Sequence, residues 1–173
     1  YSNQLGYDWV NGIISILYRG GPEEEYPNPG NGSLVINTSS DRGSTWSGTS
    51  PSNIFNDDLP GNIPGEELSA RHPSLYSWND NGTTRIATVW SNIFATFLNP
   101  NGVFGEATFK AGPLGGPYQG GRLPKETAMQ YFPSKIVADQ NGKLYSLFQS
   151  INPDTDLLTG EFFVMMSTDN GLS

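Results

Sequence analysis

Glu66, Glu67, Arg71 and His72 stand within seven consecutive positions: a pair of carboxylates, then a guanidinium and the only imidazole of the chain. Two carboxyl groups flanking a glycosidic bond can hydrolyse it, one as acid and the other as base or nucleophile. The same residues also suit a solvated loop pair followed by a His packed ahead of Pro73, because converging geometry is not visible in sequence. Asp57-Asp58 and the pair Asp154 and Asp156 offer similar groups, and nothing in the sequence selects among them. Glu23-Glu24-Glu25, between Gly21-Pro22 and Tyr26-Pro27, reads as an exposed acidic loop tip. No residue is assigned as catalytic on these grounds. Glu66, Glu67, Arg71 and His72, with Tyr131 at a corresponding position further along, are the candidates for a ligand face.

Several other chemistries are excluded or disfavoured. The chain has no cysteine, which removes thiolate nucleophiles, disulfides and thiolate metal sites. Asp169-Asn170-Gly171 has the flavour of a calcium loop but lacks the further carboxylates and the closing Glu that such a loop uses, so it is read as a structural turn, with no metal and no cofactor expected. The net charge is −8 and the nine cationic residues are scattered, which argues against nucleic acid as a partner. No apolar run approaches the roughly 20 residues that span a bilayer. The acidic balance suits an extracytoplasmic medium, and a start at Tyr1 without Met or a leader pattern suggests a mature, processed or excised chain.

The elements that must carry these residues are repeated. Gly (21) and Pro (13) are abundant, 12% of residues are aromatic and only 15% are charged, a profile of many short strands and turns. Asn11-Gly12, Asn81-Gly82 and Asn141-Gly142 each precede an apolar strand-like run, and Asn-Gly suits a type I′ hairpin turn. Pro73-Ser74 and Pro133-Ser134 precede the second and third pairs, and the prolines, like those asparagines, are 60 residues apart. The strand Ser33–Thr38 runs into Ser39-x-Asp41-x-Gly43-x-Thr45-Trp46, and Glu161–Met166 runs into Ser167-x-Asp169-x-Gly171. Between them, the segment 96–104 keeps a strand, Gly102 and an aromatic but not the Asp pattern, and is read as a degenerate copy. Each unit reads as four strands, with units at 1–50, 70–110 and 130–173. No window of a dozen residues keeps a helical period free of Gly or Pro.

Ser-x-Asp-x-Gly-x-Thr-Trp resembles the Asp-box, or bacterial neuraminidase repeat, of sialidases, sortilin-type proteins and xyloglucan-degrading endoglucanases. The resemblance implies an all-β fold: a partial β-propeller of four-stranded antiparallel blades, in which Ser39, Asp41, Gly43, Trp46, Ser167, Asp169 and Gly171 build corners. A sialidase would also need an arginine triad, a Tyr nucleophile assisted by Glu and an Asp acid/base. Its Phe/Tyr-Arg-Ile-Pro string is absent, Tyr18-Arg19-Gly20 being the nearest approach. The resemblance therefore implies a non-enzymatic binding or structural propeller that recognises a glycan or protein, the alternative being a glycoside hydrolase with catalytic residues largely elsewhere. Secreted surface propellers of Bacteroidota exported by the type IX route are similar, and a sortilin-like receptor is disfavoured by the absence of cysteine. Three blades do not close a ring, so the remaining blades, or a larger assembly, are expected to cover the ends. Strand reversal puts the Asn-Gly and Asp-box turns on one face and the long connections 20–32, 51–70, 111–129 and 151–160 on the other. Long loops on a rigid scaffold commonly bind ligands.

Overall fold

The computed structural model describes residues 4–19, 34–46, 67–96, 99–123, 130–139, 143–152 and 158–169. All of its regular structure is β, and none of the described residues is helical. Three antiparallel sheets follow one another along the chain. The first joins β1 (Leu5–Asp8), β2 (Ile13–Arg19) and β3 (Leu34–Ser39); the second joins β4 (Glu67–Asp80), β5 (Thr83–Thr96), β6 (Asn99–Pro113) and β7 (Gln119–Leu123). The third joins β8 (Gln130–Ala138), β9 (Leu144–Ile151) and β10 (Leu158–Ser167). Within each sheet, strands pair in sequence order, so every sheet is a simple meander.

Period-2 alternation decides which residues are buried. On the second sheet, Leu75, Ile86 and Trp90 point one way and meet Leu17, Leu34 and Ile36 of the first sheet, forming one core cluster. The intervening Ala87 and Val89, with Ala107 and Ala111 of β6, point the other way and meet Ile136, Leu144 and Phe148 of the third sheet. Trp90, Leu17, Leu75 and Val89 are fully buried, and each large apolar side chain so buried stabilises the fold by about 1.5–3 kcal/mol. The middle sheet is thus sandwiched, and its two faces define two cores. The first strand of each sheet also lies near the first strand of the next, β1 near β4 and β4 near β8.

Strand boundaries in the middle unit differ from those read in the sequence. The segment 96–104 does not end in an Asp-box-like turn: Gly102 lies inside β6, and Ile93 and Phe94 pair with Phe104 and Val103. Because β4 and β5 are each 14 residues long, β6 must extend to 15 to satisfy its partner's N–H and C=O groups, absorbing the glycine through register shifts. The connection expected across 111–129 contains β7, and the turn that follows the third strand in this sheet is 113–118, anchored by Leu114 N–H donating to Thr84 O at 2.9 Å. The two outer sheets show three strands each among the described residues.

The Asn-Gly turns also differ from one another. Asn81 and Gly82, at φ 50° and 89°, form the anticipated two-residue turn between the paired Asp80 and Thr83. The first turn instead spans Trp9–Gly12 between the paired Asp8 and Ile13, with positive φ only at Gly12. Asn141-Gly142 lies outside the described residues.

What fixes the first turn also joins two sheets. Asp8 is 1% exposed. Its Oδ1 accepts the Val10 and Asn11 N–H groups at 2.9 and 3.2 Å, and its Oδ2 accepts Thr84 Oγ1 at 2.6 Å, Asn11 Nδ2 at 3.1 Å and Asn79 Nδ2 at 3.4 Å. Asn11 Nδ2 also reaches Gly82 O at 3.1 Å. One carboxylate therefore ties the β1–β2 turn to the β4–β5 turn. Burial alone would raise its pKa, but the Thr84 hydroxyl and the amide donors outweigh it and hold the group below its ordinary value. Alongside, Gly6 passes so close to Ser77 that a Cβ there would lie 2.9 Å from the Ser77 Cβ.

Replacing Asp8 by Ala orphans the buried Thr84 hydroxyl and several part-buried donors, and a loss of about 1–3 kcal/mol in urea unfolding at neutral pH is the expected result. Because the folded pKa of Asp8 is depressed below 3.8, its contribution is complete above that value and is lost as pH falls through the folded pKa. Acid unfolding of Asp8→Asn should accordingly be less steep in this window than that of the parent chain.

Candidate functional site

The candidate ligand face lies at the ends of the sheets opposite the short turns. Glu67 opens β4 opposite Ala95, and Arg71 pairs with Ser91 just before a register shift that continues to Ser74. His72 falls in that bulge with φ 50° and an exposed side chain. A bulge re-aims the side chain it carries, and a non-glycine residue held at positive φ is a costly conformation often found at functional positions. Tyr131, on β8, pairs with Ser150, and the next register shift, between Pro133 and Lys135, repeats the β4 irregularity one sheet later. Glu66 lies outside the described residues.

These backbone positions share one end of the fold. The short turns of the first two sheets are hydrogen-bonded to each other through Asn11. The second and third sheets are aligned likewise, since Ala87 and Ala111 near the short-turn end of one line a common cavity with Leu144 and Ser167 at the short-turn end of the other. Glu67, Arg71 and His72 therefore enter β4 from the same side as Tyr131 enters β8, on strands that lie near each other.

At the opposite end, the Ser-x-Asp turns show how the motif works. Asp41 Oδ1 accepts Ser39 Oγ–H at 2.7 Å and Thr45 N–H at 2.8 Å, and its Oδ2 accepts Thr45 Oγ1–H at 2.6 Å. Ser39 Oγ in turn accepts Gly43 N–H at 2.7 Å. Gly43 sits at φ 89°, and Arg42 before it at φ 59°. The first bond recurs in the third sheet, where Ser167 Oγ donates to Asp169 Oδ1 at 2.7 Å; Gly171 is outside the described residues. Trp46 lies over Gly43 but remains 39% exposed, so it caps the corner instead of being buried beneath the hairpin. The Thr45 hydroxyl above all, with the Thr45 N–H and Ser39 hydroxyl, lowers the Asp41 pKa from 3.8 to about 2. A carboxylate so engaged is a fixed acceptor and a poor proton donor near neutral pH.

Two features were not anticipated from sequence. Asp8 does the joining work that the Asn-Gly pairs suggested only for turns, and its one sequence signal is an acid three residues before Asn11. Asp139 plays a local version, its Oδ1 accepting Lys143 N–H at 3.0 Å. The second feature is a cavity of about 210 Å³ between the second and third sheets, with Ala87, Val89 and Phe109 on one side and Ile136, Phe148 and Met165 on the other. Its walls are mostly apolar, with Lys110 and Tyr145 also on the lining. Among the described residues no group of three or more His, Asp or Glu is placed to hold a metal ion, and no helix is long and apolar enough to cross a membrane.

No family model and no curated protein matches the chain by sequence. Its fold is similar to solved structures of an enzyme described as a new family of polysaccharide lyase, PL25 ulvan lyase, both alone and bound to -[GlcA(1-4)Rha3S]-. Each aligns at 15% identity with a TM-score of 0.61, covering 98% of this chain and 41% of the lyase chain. The chain thus spans well under half the length of that enzyme, and at this identity the likeness concerns the fold: an all-β arrangement of antiparallel sheets that is shared with a carbohydrate-active protein.

Removing the hydroxyl in Thr45→Ala should raise the Asp41 carboxyl from about 2 back toward 3.8, as read by carbon-detected NMR titration. Since the folded value is the depressed one, the stability linked to Asp41 is present above 3.8 and fades as pH falls toward 2.

Proposed function

We propose that the chain is a section of a β-propeller, outside the cytoplasm, that binds a polymeric glycan through the face where β4 and β8 begin. The observation that carries this reading is the fold likeness to a polysaccharide lyase over 98% of the chain. Three features support it. Successive meanders with their first strands side by side match blades arranged about an axis. The bulge at His72 and the register shift after Tyr131 stand at the entrance of such an axis. The Ser-x-Asp turns, with carboxylates spent on structure, stand at the far end.

The polymer class follows from chemistry. An Arg, a His and a Tyr at neighbouring strand entrances offer one cation, one titrating donor and one aromatic face, a set that suits a sugar carrying a carboxylate or sulfate. A protein charged at −8 needs such a local cation to hold an anionic chain. A second reading is an enzyme, and the similarity to a lyase favours elimination over the hydrolysis that paired carboxylates first suggested. In elimination a base takes the proton α to a uronate carboxylate, a cation or donor neutralises that carboxylate, and the bond to the leaving oxygen breaks to leave a C=C bond. His72, Tyr131 and Arg71 are of the types such a step uses.

Affinity electrophoresis and calorimetry against a panel of neutral, uronate-containing and sulfated polysaccharides test the proposal. The expected outcome is retention by anionic polymers, reduced about tenfold by Arg71→Ala or Tyr131→Ala, with no new ultraviolet absorbance from an unsaturated sugar. Absorbance growing with time would establish the eliminating enzyme instead. Silence toward every glycan would remove the glycan reading and leave a protein ligand.

A further inference from the structure

The two cores of this fold are built from side chains of different size. Toward the first sheet, the second sheet contributes Leu75, Ile86 and Trp90. Toward the third, it contributes Ala87, Val89, Ala107 and Ala111. These smaller residues leave a cavity of about 210 Å³, with Ala87 and Ala111 on one wall and Phe148 and Met165 on the other. Protein interiors pack with few voids larger than a water molecule, and an engineered apolar cavity of about 150 Å³ stays dry and takes up benzene. Phe109 and Met165, one on each wall, are half-buried, which gives the cavity a mouth at the surface.

What the cavity can hold follows from the hydrogen-bonding groups around it. Ser146 Oγ–H donates to Lys135 O at 3.1 Å and Ser167 Oγ–H to Asp169 Oδ1 at 2.7 Å, so both hydroxyl protons of that wall are already engaged. Thr88 and Lys110 also border the space, but they pair with each other, and Thr88 pairs with Leu75 of the first core. Directly paired residues share a face, so these two side chains belong on the face toward the first sheet and meet the cavity with backbone. Tyr145 alternates with Leu144 in the same way, and its hydroxyl donates to Asp139 Oδ2 at 3.4 Å. A charged guest would give up its water here without meeting a counter-charge.

We propose that the cavity between the second and third sheets is a binding site for one small uncharged apolar ring, of about the size of toluene. Phe109 and Phe148 offer aromatic contact from the two walls, and the Met165 thioether is flexible and polarizable enough to close on a guest. Arg71, His72 and Tyr131 are not among the residues that line it. The proposal therefore concerns a second site and does not rest on the glycan reading.

The test uses protein expressed from its complete gene and labelled with carbon-13 at the methionine methyls, the two relevant signals being assigned with Met165→Leu and Met166→Leu. Toluene is titrated beside benzoate, its charged counterpart of similar size. The expected result is a saturating shift of the Met165 methyl with a Kd below about 1 mM. Met166, which alternates with Met165 and is 52% exposed, should shift far less. Benzoate should bind at least about tenfold more weakly than toluene. Ala111→Leu fills the cavity and should weaken toluene by about tenfold or more, and Ala87→Val gives the same reading should Ala111→Leu fail to fold. A Met165 signal that toluene leaves unmoved would overturn the proposal, and so would equal affinity for benzoate. Shifts that persist in both filled variants would overturn it too, by placing the toluene elsewhere. Polysaccharide retention plays no part in these readings, so failure of the glycan proposal and failure of this one are distinguishable.

Discussion

A β-sheet that alternates apolar residues on both faces must be covered on both, and that constraint organises everything else in this protein. In the second sheet Leu75, Ile86 and Trp90 demand one neighbour while Ala87, Val89 and Ala107 demand another. Antiparallel sheets more often leave one face to water. Here the double demand turns three simple meanders into a stack, and sets the direction in which the array extends.

Within that stack, apolar contact supplies most of the stabilisation and polar contact supplies the alignment. Burial is non-directional and tolerates sliding of one sheet over another. The Asp8 carboxylate does not, because five donors from two sheets must meet its two oxygens at once. Close approach of Gly6 to Ser77 adds a steric stop next to it. The short turns at this end are thereby held in register, and the strand entrances at the other end inherit the alignment. Arg71 and His72 on β4 and Tyr131 on β8 stand on strands that lie near each other.

The two ends consequently divide the work. At the short-turn end, Asp8, Asp41 and Asp169 are committed to hydrogen bonds that shape the chain. At the entrance end, register shifts in β4 and β8 break the regular ladder. The proposed ligand surface draws on that division between rigid corners and irregular entrances.

Much of this was legible in the residues. The all-β class followed from Gly, Pro and aromatic content with no helical period, and the placing of Asn-Gly and Ser-x-Asp turns at one end followed from strand reversal. The local geometry of Ser39, Asp41 and Gly43 was legible as well, because its bonds join residues at most four apart. What the sequence left undecided depends on partners far away in the chain. Gly102 resembled a turn until the length of β4 and β5 required β6 to run through it, and 113–118 became the corner only as a consequence. Asp8 looked like one acid among 17, since its role depends on Thr84, 76 residues further on. How far Trp46 is covered likewise depends on packing around the corner, which leaves 39% of it exposed. Sequence by itself determined the period, the turns and the chemistry at hand; only the tertiary structure decided which strands were long, which carboxylate joined two sheets and where facing sheets left a cavity, because each of those depends on surfaces that meet only after the chain has folded.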